Sequence, residues 1–181
     1  MELIDLIDIN GNKINKTIIR GHSDEINEGE YVPVVTIYLR SGIRYLIQHT
    51  SEAKGSMYAT TGGVVPSGAE PLKQAIIELE EELGLKLQES DLRYLGNIVR
   101  DDIIMYVYIY EDDSCEIEKY PFKLQESEVS SIHWLSKDEI EDLILKGMLR
   151  ESTCEHYLKF IKWLFNACTI YLISLQYIQF K

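Results

Sequence analysis

The sequence has few positive charges for its length, and this shortage restricts its partners. Its 181 residues include 18 lysines and arginines against 30 aspartates and glutamates, which gives a formal net charge of −12 at pH 7. A surface of that sign repels phosphate backbones, so we expect no nucleic-acid partner. A small anionic substrate remains compatible with it, provided that a divalent cation lies between the two sets of negative charge.

Cysteine is scarce as well. The three cysteines, Cys115, Cys154 and Cys168, are widely spaced and odd in number. They form no CxxC or Cys/His pattern of the kind that binds zinc, and their spacing favours reduced thiols over a disulfide framework. The first residues, MELIDLIDINGNK, carry acidic side chains where a secretory signal needs a basic start and an apolar run. We therefore expect a cytoplasmic protein.

Strand, turn and helix signals follow one another in an order that predicts a mixed domain of the α/β (α+β) class. The dipeptides Asn10-Gly11 and Ser41-Gly42 separate β-prone runs, which predicts two β-hairpins. Apolar residues recur at helical spacing over residues 71–83. Three strand patterns, LRYLGNIV, IIMYVYIYE and VSSIHWLS, come after that helix, and helical patterns close the series. This order predicts an α/β sandwich with a mixed sheet.

The C-terminal segment, residues 151–181, is predicted to be a helix followed by an apolar tail. Residues 163–180 carry no charged side chain, and 18 such residues is the lower limit for a membrane span. Polar residues dilute the segment, and its β-branched and aromatic content suits a strand or a packed terminal segment. We therefore favour a tail that docks on the domain, or on a partner subunit in a homodimer, over a membrane anchor.

Four glutamates crowd the end of the predicted helix: Glu78, Glu80, Glu81 and Glu82. Positions i, i+3 and i+4 share one helix face, so Glu78, Glu81 and Glu82 should converge while Glu80 points elsewhere. Carboxylate oxygens are the ligands that Mg²⁺ and Mn²⁺ prefer. A solvated acidic face is the alternative, but the helix dipole disfavours negative charge in the last turn. A cation site is therefore favoured.

The segment GGVVPSGAEPLKQAIIELEEELGL resembles the Nudix box. That box has Gly, five residues, Glu, seven residues, then Arg-Glu-aliphatic-any-Glu-Glu-any-Gly-aliphatic. Gly63 matches its first glycine, and the sequence from Glu78 to Leu85 matches its end in register. The flanking hairpins and strands are also similar to a Nudix domain. The resemblance implies a Nudix-like α/β/α sandwich over residues 1–150, with a loop-helix-loop catalytic motif.

Two positions depart from the box. Its first glutamate falls on Ala69, with Glu70 one place later, and its arginine falls on Ile77. In the family these two residues commonly form a salt bridge that supports the motif. Replacing both partners by apolar groups costs less than losing one, which would leave a buried charge unpaired. Glu78 nevertheless lacks the arginine that helps orient it, so a catalytically impaired ligand-binding or sensing domain remains an alternative.

The resemblance implies a hydrolase that uses Mg²⁺, or Mn²⁺, to cleave the pyrophosphate of a nucleoside diphosphate linked to another moiety. Glu78, Glu81 and Glu82 would be catalytic and would hold the metal. A backbone carbonyl near Gly63 is a candidate for a further ligand. A carboxylate from outside the box is expected from Glu128, or with less support from Glu126, with loop solvation of Glu128 an equal alternative.

Candidate substrate contacts rest on weaker signals. Lys54 and Arg44 are candidates for phosphate binding, although Arg44 is more typical of a surface charge. Tyr58 stands just ahead of the glycines, where it favours packing over stacking on a substrate. A third interpretation is an enzyme similar to isopentenyl-diphosphate isomerase, which ranks last because Cys115 lies in the acidic run EDDSCEIE. The identity of the nucleoside diphosphate derivative stays open.

Overall fold

The computed structural model of the protein describes residues 2–164. Within them the chain forms nine β-strands, three α-helices and several short 3-10 turns. The strands are β1 (Leu3–Ile7), β2 (Lys13–Ile19), β3 (Val32–Ser41), β4 (Arg44–Thr50), β5 (Tyr58–Ala59), β6 (Thr61–Val64), β7 (Arg93–Arg100), β8 (Ile103–Asp112) and β9 (Val129–Leu135). The helices are α1 (Pro71–Leu83), α2 (Lys137–Leu145) and α3 (Glu151–His156), which a π-helical turn at Tyr157–Ile161 extends.

The main sheet is mixed, and this confirms the predicted fold class. Its strands follow the order β5-β4-β3-β8-β7, with β6 beside β3 and β9 beside β4. Strands β3 and β8 run parallel over their whole length, and the other pairs of the sheet are antiparallel. Both predicted hairpins also form. Strand β1 pairs with β2, and β3 turns into β4 through Gly42.

The central strand β3 changes partner along its length. Near its end, Arg40 and Ser41 pair with the first residues of β4. Near its start, residues 34–37 pair with β6, whereas β4 diverges to pair with β5 and β9. The divergence separates β4 from β6, and the candidate active site lies in the space between these two strands.

Helices cover both faces of the sheet and give the predicted α/β/α layers. Successive side chains of a strand point to opposite faces. Val35 and Ile37 of β3 therefore pack with Leu79 of α1, while Tyr38 packs with Ile140 of α2 on the other face. Each of these side chains is almost fully buried, which contributes roughly 1.5–3 kcal/mol per large apolar group. Two hydrophobic clusters thus hold the three layers together.

Helix α1 begins and ends at the residues that its sequence signals predict. Pro71 occupies its first position, where the missing N–H would have no partner within the helix. Gly84 follows the last residue with φ +65°, a left-handed conformation that favours glycine. A Cβ at Gly84 would also lie 2.9 Å from the Cβ of Lys123. The end of the acidic helix is therefore fixed both by conformation and by a close approach.

The C-terminal helix shares its core with the sheet. Tyr157 and Ile161 are fully buried in the cluster that contains Tyr38 and Val107. The helical part of the C-terminal segment thus packs on the domain. No helix within residues 2–164 is long and apolar enough to cross a membrane. The predicted docking tail continues past residue 164 and there lies outside the described residues.

Candidate active site

A cleft of about 530 Å³ lies between the diverging strands and the acidic face of α1. We call it the acidic cleft, because five glutamates line it: Glu2, Glu78, Glu81, Glu82 and Glu128. Polar residues of β4, the glycines of β6 and three basic side chains complete its lining. The lining of the cleft is therefore predominantly polar, as a site for a charged ligand requires.

The three glutamates predicted to converge all line the acidic cleft, but they differ in burial. Glu82 is buried, with 3% of its surface exposed, while Glu78 is half-buried and Glu81 is exposed. Glu80 points away and pairs with Lys86 at 3.0 Å between Oε1 and Nζ. The helical spacing thus predicted correctly which glutamate leaves the group.

The two glycines of β6 make room for this arrangement. A Cβ at Gly63 would lie 2.1 Å from Oε1 of Glu78, and a Cβ at Gly62 would lie 2.3 Å from the carbonyl oxygen of Val35. A side chain at Gly62 would collide with backbone, and one at Gly63 would displace the Glu78 carboxylate. The Gly62 backbone N–H also acts on the Glu82 carboxylate and lowers its pKa, against the effect of burial. The strand therefore approaches α1 closely enough to contact its glutamates with backbone.

Two buried glutamines orient the carboxylates of Glu78 and Glu82, and the sequence interpretation missed both glutamines. Nε2 of Gln74 donates to Oε1 of Glu78 at 2.8 Å. Nε2 of Gln48 donates to Oε2 of Glu82 at 3.1 Å, while Oε1 of Gln48 accepts from Thr61 at 3.3 Å. Gln74 lies four residues before Glu78 on the same helix, a spacing that the sequence offers as a signal. Gln48 lies on a distant strand and offers none.

Two carboxylates of the acidic cleft, Glu78 and Glu82, have raised pKa values. Burial raises the pKa of Glu82 to about 8, and the nearby charges of Glu78 and Glu128 act in the same direction. Burial also raises the pKa of Glu78, and so do the charges of Glu81 and Glu128. An opposite charge near such groups favours their ionised form. The donor set, made of hard oxygens in need of a counter-charge, fits Mg²⁺ or Mn²⁺.

The side chains do not yet surround one ion position. Within residues 2–164, no three Asp, Glu, His or Cys side chains come close enough together to hold a metal as they stand. The side chain of Glu81 is exposed at the edge of the cleft. A metal ion in this cleft would therefore require movement of side chains, while hydrogen bonds already hold the half-buried Glu78 and the buried Glu82.

Of the residues predicted outside the helix, Glu128 and Lys54 reach the acidic cleft. They form an ion pair of 3.1 Å between Nζ of Lys54 and Oε1 of Glu128. Glu126 is exposed and does not line the cleft. Glu70, which stands one place after the position of the first glutamate of the box, lines a separate small cavity next to Ala69. The structure thus favours Glu128 over Glu126.

Arg44 and Tyr58 do not line the acidic cleft, and their positions agree with the surface and packing interpretations of these two residues. Arg44 begins β4 at the hairpin end, where it forms an ion pair with Glu118. Tyr58 packs its ring against His49 and His133, with ring centroids 4.8 and 5.7 Å away. Arg44 lies four residues from Gln48, a distance of about 13 Å along an extended strand. The guanidinium therefore lies at the opposite end of β4 from the acidic cleft.

Two arginines that the sequence interpretation missed line the acidic cleft instead. Arg20, at the end of the hairpin formed by β1 and β2, pairs with Glu2 at 2.6 Å between Nη1 and Oε2. Arg150 precedes α3 and donates from Nη2 to the carbonyl oxygen of Lys54 at 2.9 Å. Neither residue lies in a recognisable motif, so only the folded chain brings them to the site.

Fold and site together define an α/β/α domain that carries an acidic cleft between a glycine-rich strand and the end of one helix. The family model of the NUDIX domain matches residues 30–164 of the chain. The chain therefore belongs to the Nudix family. The matched region includes α1 and most of the cleft, but it begins after the hairpin of β1 and β2.

Individual relatives agree with this assignment. The uncharacterized Nudix hydrolases YfcD of Escherichia coli K12 and of Salmonella typhi are each 33% identical to the chain over 109 residues. The alignments cover 54% of this chain and 54% and 53% of those proteins, respectively, so the chain spans about half the length of the curated relatives it matches.

Solved structures show the same fold. The crystal structure of DR0079 from Deinococcus radiodurans matches with a TM-score of 0.71 at 20% identity, covering 88% of this chain and 99% of that one. A bifunctional NMN adenylyltransferase/ADP ribose pyrophosphatase from Francisella tularensis, complexed with AMP and a Mn ion, matches with a TM-score of 0.57 at 16% identity. That match covers 76% of this chain and 42% of the other. At these identities the likeness concerns the fold alone.

Proposed function

We propose that the protein is a divalent-metal-dependent hydrolase that cleaves the pyrophosphate of a nucleoside diphosphate linked to another moiety. The observation that carries this proposal is the group of Glu78, Glu81 and Glu82 on one face of α1, in a cleft that raises the pKa of Glu78 and Glu82. A binding domain without catalysis has little use for such repulsion. Membership of the Nudix family supports the same reaction class.

Each glutamate has a proposed role in this site. Glu78, Glu81 and Glu82 would hold Mg²⁺ or Mn²⁺, with Glu128 and the carbonyl of Gly63 as further ligands. When bound, the metal supplies charge neutralisation for the diphosphate and lowers the pKa of a water molecule. Gln74 and Gln48 keep Glu78 and Glu82 in place while the ligand enters. A carboxylate of this group, with Glu78 as the first candidate, takes the proton from the attacking water.

A catalytically impaired ligand-binding domain is the second candidate, favoured by one observation. Ile77 stands where the Nudix box has arginine, and it lines the acidic cleft with an exposed side chain. Gln74 weakens this alternative, because it supplies Glu78 with a hydrogen bond at 2.8 Å. The isomerase has no comparable support. Cys115 lies in the turn after β8 and does not line the cleft.

The test is release of nucleotide or phosphate from a panel of ADP-ribose, dinucleotides, nucleotide sugars and nucleoside triphosphates. Each assay is run with Mg²⁺, with Mn²⁺ and with a chelator. We expect metal-dependent turnover by the wild type and its loss in Glu82→Gln. Glu80→Gln is the matched control, because it makes the same change in the same helix turn but outside the cleft. A folded wild type without turnover on this panel would favour the ligand-binding domain.

The cellular compartment of the protein and its oligomeric state are also proposals. The described cysteines, Cys115 and Cys154, are free thiols, which suits a reducing compartment such as the cytoplasm. A homodimer formed through the apolar tail stays a prediction, because residues 165–181 lie outside the described part of the chain. Light scattering of the full chain at several concentrations would give its mass in solution, and a monomer throughout would contradict the dimer.

A further inference from the structure

The basic side chains of the acidic cleft are not equally paired. Among the described residues, the cations that line it are Arg20, Lys54 and Arg150. Arg20 is bound to Glu2 at 2.6 Å and Lys54 to Glu128 at 3.1 Å. Arg150 forms no ion pair with any carboxylate of residues 2–164, although five glutamates line the same cleft. Its charge is thus the one that this part of the chain leaves uncompensated.

The backbone around Arg150 is fixed by hydrogen bonds. The Arg150 N–H donates to the carbonyl oxygen of Tyr58 at 2.8 Å, and the Tyr58 N–H donates to the carbonyl oxygen of Met148 at 3.0 Å. The segment thereby continues the sheet next to β5. A side chain on such a support starts from a defined position, which lowers the entropy lost when it binds a ligand.

The guanidinium of Arg150 has donors to spare. Arginine offers five N–H groups in a planar fork that matches the oxygens of a phosphate. Only one hydrogen bond uses them within the described residues, from Nη2 to the carbonyl of Lys54 at 2.9 Å. The remaining donors belong to a half-buried charge that lines the cleft. An anionic ligand in the cleft would satisfy them.

The contacts also order the charges along the cleft. Arg150 touches Lys54, Lys54 touches Glu128, and the charge of Glu128 reaches Glu82 on α1, where it acts on the carboxyl group. Arg150 and Lys54 therefore lie at one end of this chain of contacts and the carboxylates at the other, while the third cation of the cleft, Arg20, is held by Glu2. A ligand with two adjacent phosphates suits such an order, with one phosphate near the metal and the other near the arginine.

We propose that Arg150, with Lys54 beside it, forms an anion subsite that binds the phosphoryl group of the substrate lying away from the glutamates of α1. The proposal rests on the proposed function for the identity of the ligand as a diphosphate. Arg150 holds this phosphate through paired N–H donors, and Lys54 adds a second positive charge. The subsite thus selects ligands with at least two phosphates in a row.

The test is calorimetric titration of ADP, AMP and inorganic pyrophosphate into the full chain in the presence of Mg²⁺. We expect Arg150→Ala to weaken ADP and pyrophosphate binding by about tenfold or more, because hydrogen bonds to a charged partner are lost. The loss for AMP should be smaller. The affinity of Arg150→Lys for ADP should lie between those of the wild type and Arg150→Ala, since lysine keeps the charge but not the planar fork of N–H donors. Added guanidinium ion should restore part of the affinity of Arg150→Ala.

The matched control is Arg93→Ala, which removes an exposed arginine paired with Glu111, outside the cleft. It should bind ADP as the wild type does. The proposal is overturned if Arg150→Ala binds ADP as tightly as the wild type, if Arg93→Ala loses as much, or if the wild type binds neither ADP nor pyrophosphate. Melting curves show whether each variant is folded. If Arg150→Ala is misfolded, Arg150→Lys replaces it in the comparison with the wild type. This experiment measures binding alone. If the wild type binds ADP but turns over no substrate, the proposed function is contradicted and the proposed anion subsite is not.

Discussion

Gln74 donates a hydrogen bond from Nε2 to Oε1 of Glu78 at 2.8 Å, one turn apart on helix α1. Gln74 is 94% shielded from solvent, with 6% of its surface exposed, so the contact is protected from competing water. On the other side Gly63 approaches the same carboxylate. The position of Glu78 is therefore defined by an amide and a backbone, without the arginine that Ile77 replaces.

The first prediction concerns this amide. Replacement of Gln74 by leucine keeps the volume and removes the donor, so the carboxylate of Glu78 loses its fixed orientation. We expect the turnover number to fall by about tenfold, the value of one hydrogen bond to a charged group, with a smaller effect on KM. Steady-state kinetics on a substrate found in the panel measures both. Lys73→Leu, a change at the exposed neighbouring position, is the control, and unchanged turnover in Gln74→Leu would show that the bond has no role in orientation.

The second prediction concerns metal binding without catalysis. A ligand that binds only the folded state stabilises it, by about 2.7 kcal/mol at a hundred times its Kd. For a chain of this length, such a gain raises the melting temperature by roughly 5–10 °C. We expect Mg²⁺ or Mn²⁺ to produce this shift in the wild type and in Glu80→Gln, but a much smaller one in Glu82→Gln. Equal shifts in all three proteins would place the metal elsewhere.

The third prediction concerns the hairpin of β1 and β2, which lies before the region matched by the family model. Its Asp5 accepts hydrogen bonds from Ser67 Oγ at 2.6 Å and from the Gly68 N–H at 3.0 Å, in the loop that leads into α1. Thr17 and Lys13 hold the same carboxylate from within the hairpin. We expect Asp5→Ala to lower the free energy of unfolding by about 1–3 kcal/mol. Amide hydrogen exchange should accelerate at Gly68.

The control for this prediction is Asp24→Ala, which removes an exposed aspartate from the turn after β2. It should leave both the melting temperature and the exchange of residues 66–70 unchanged. If exchange at Gly68 stayed slow in Asp5→Ala, the loop would owe its order to the helix that follows. The hairpin would then be an accessory of the fold without a part in positioning the site.

The features predicted correctly from sequence have local causes. The bounds of α1 follow from Pro71, Gly84 and the helical spacing between them, all within a few residues of the helix. The three glutamates share a face because helix geometry fixes it. Hairpins follow from their turn residues in the same way. None of these predictions needed knowledge of a distant contact.

The features that the sequence left unknown depend on distant contacts. Gln48 reaches Glu82 across 34 positions of sequence, and Arg150 reaches Lys54 across 96. Arg44 lies away from the cleft because β3 exchanges β4 for β6 along its length, and this exchange has no signature in the sequence. Which end of β4 faces the cleft is decided by this exchange. Residue type alone therefore identified candidates but could not rank them.

The fourth prediction concerns acid stability and a buried histidine of α3. His156 is 2% exposed, its Nδ1 lies 2.7 Å from the hydroxyl of Tyr38, and its Nε2 lies 3.5 Å from Oγ1 of Thr36. Burial lowers the pKa of His156 from 6.5 to about 3. Between these values the unfolded chain binds a proton that the folded chain does not, so stability falls as pH falls.

The slope expected from this one group is about 1.4 kcal/mol per pH unit, beginning near pH 6.5 and ending near pH 3. His156→Gln keeps a polar side chain but cannot take up the proton. Its free energy of unfolding should be lower than that of the wild type at pH 7, yet it should decrease less steeply on acidification. Urea titrations at half-unit pH intervals measure the slope, with His22→Gln, a change at an exposed histidine, as the control. Equal slopes in the wild type and in His156→Gln would contradict the prediction, because they would mean that the imidazole takes up a proton in the folded state. The Tyr38 hydroxyl would then accept a hydrogen bond from Nδ1 of His156 instead of donating one to it.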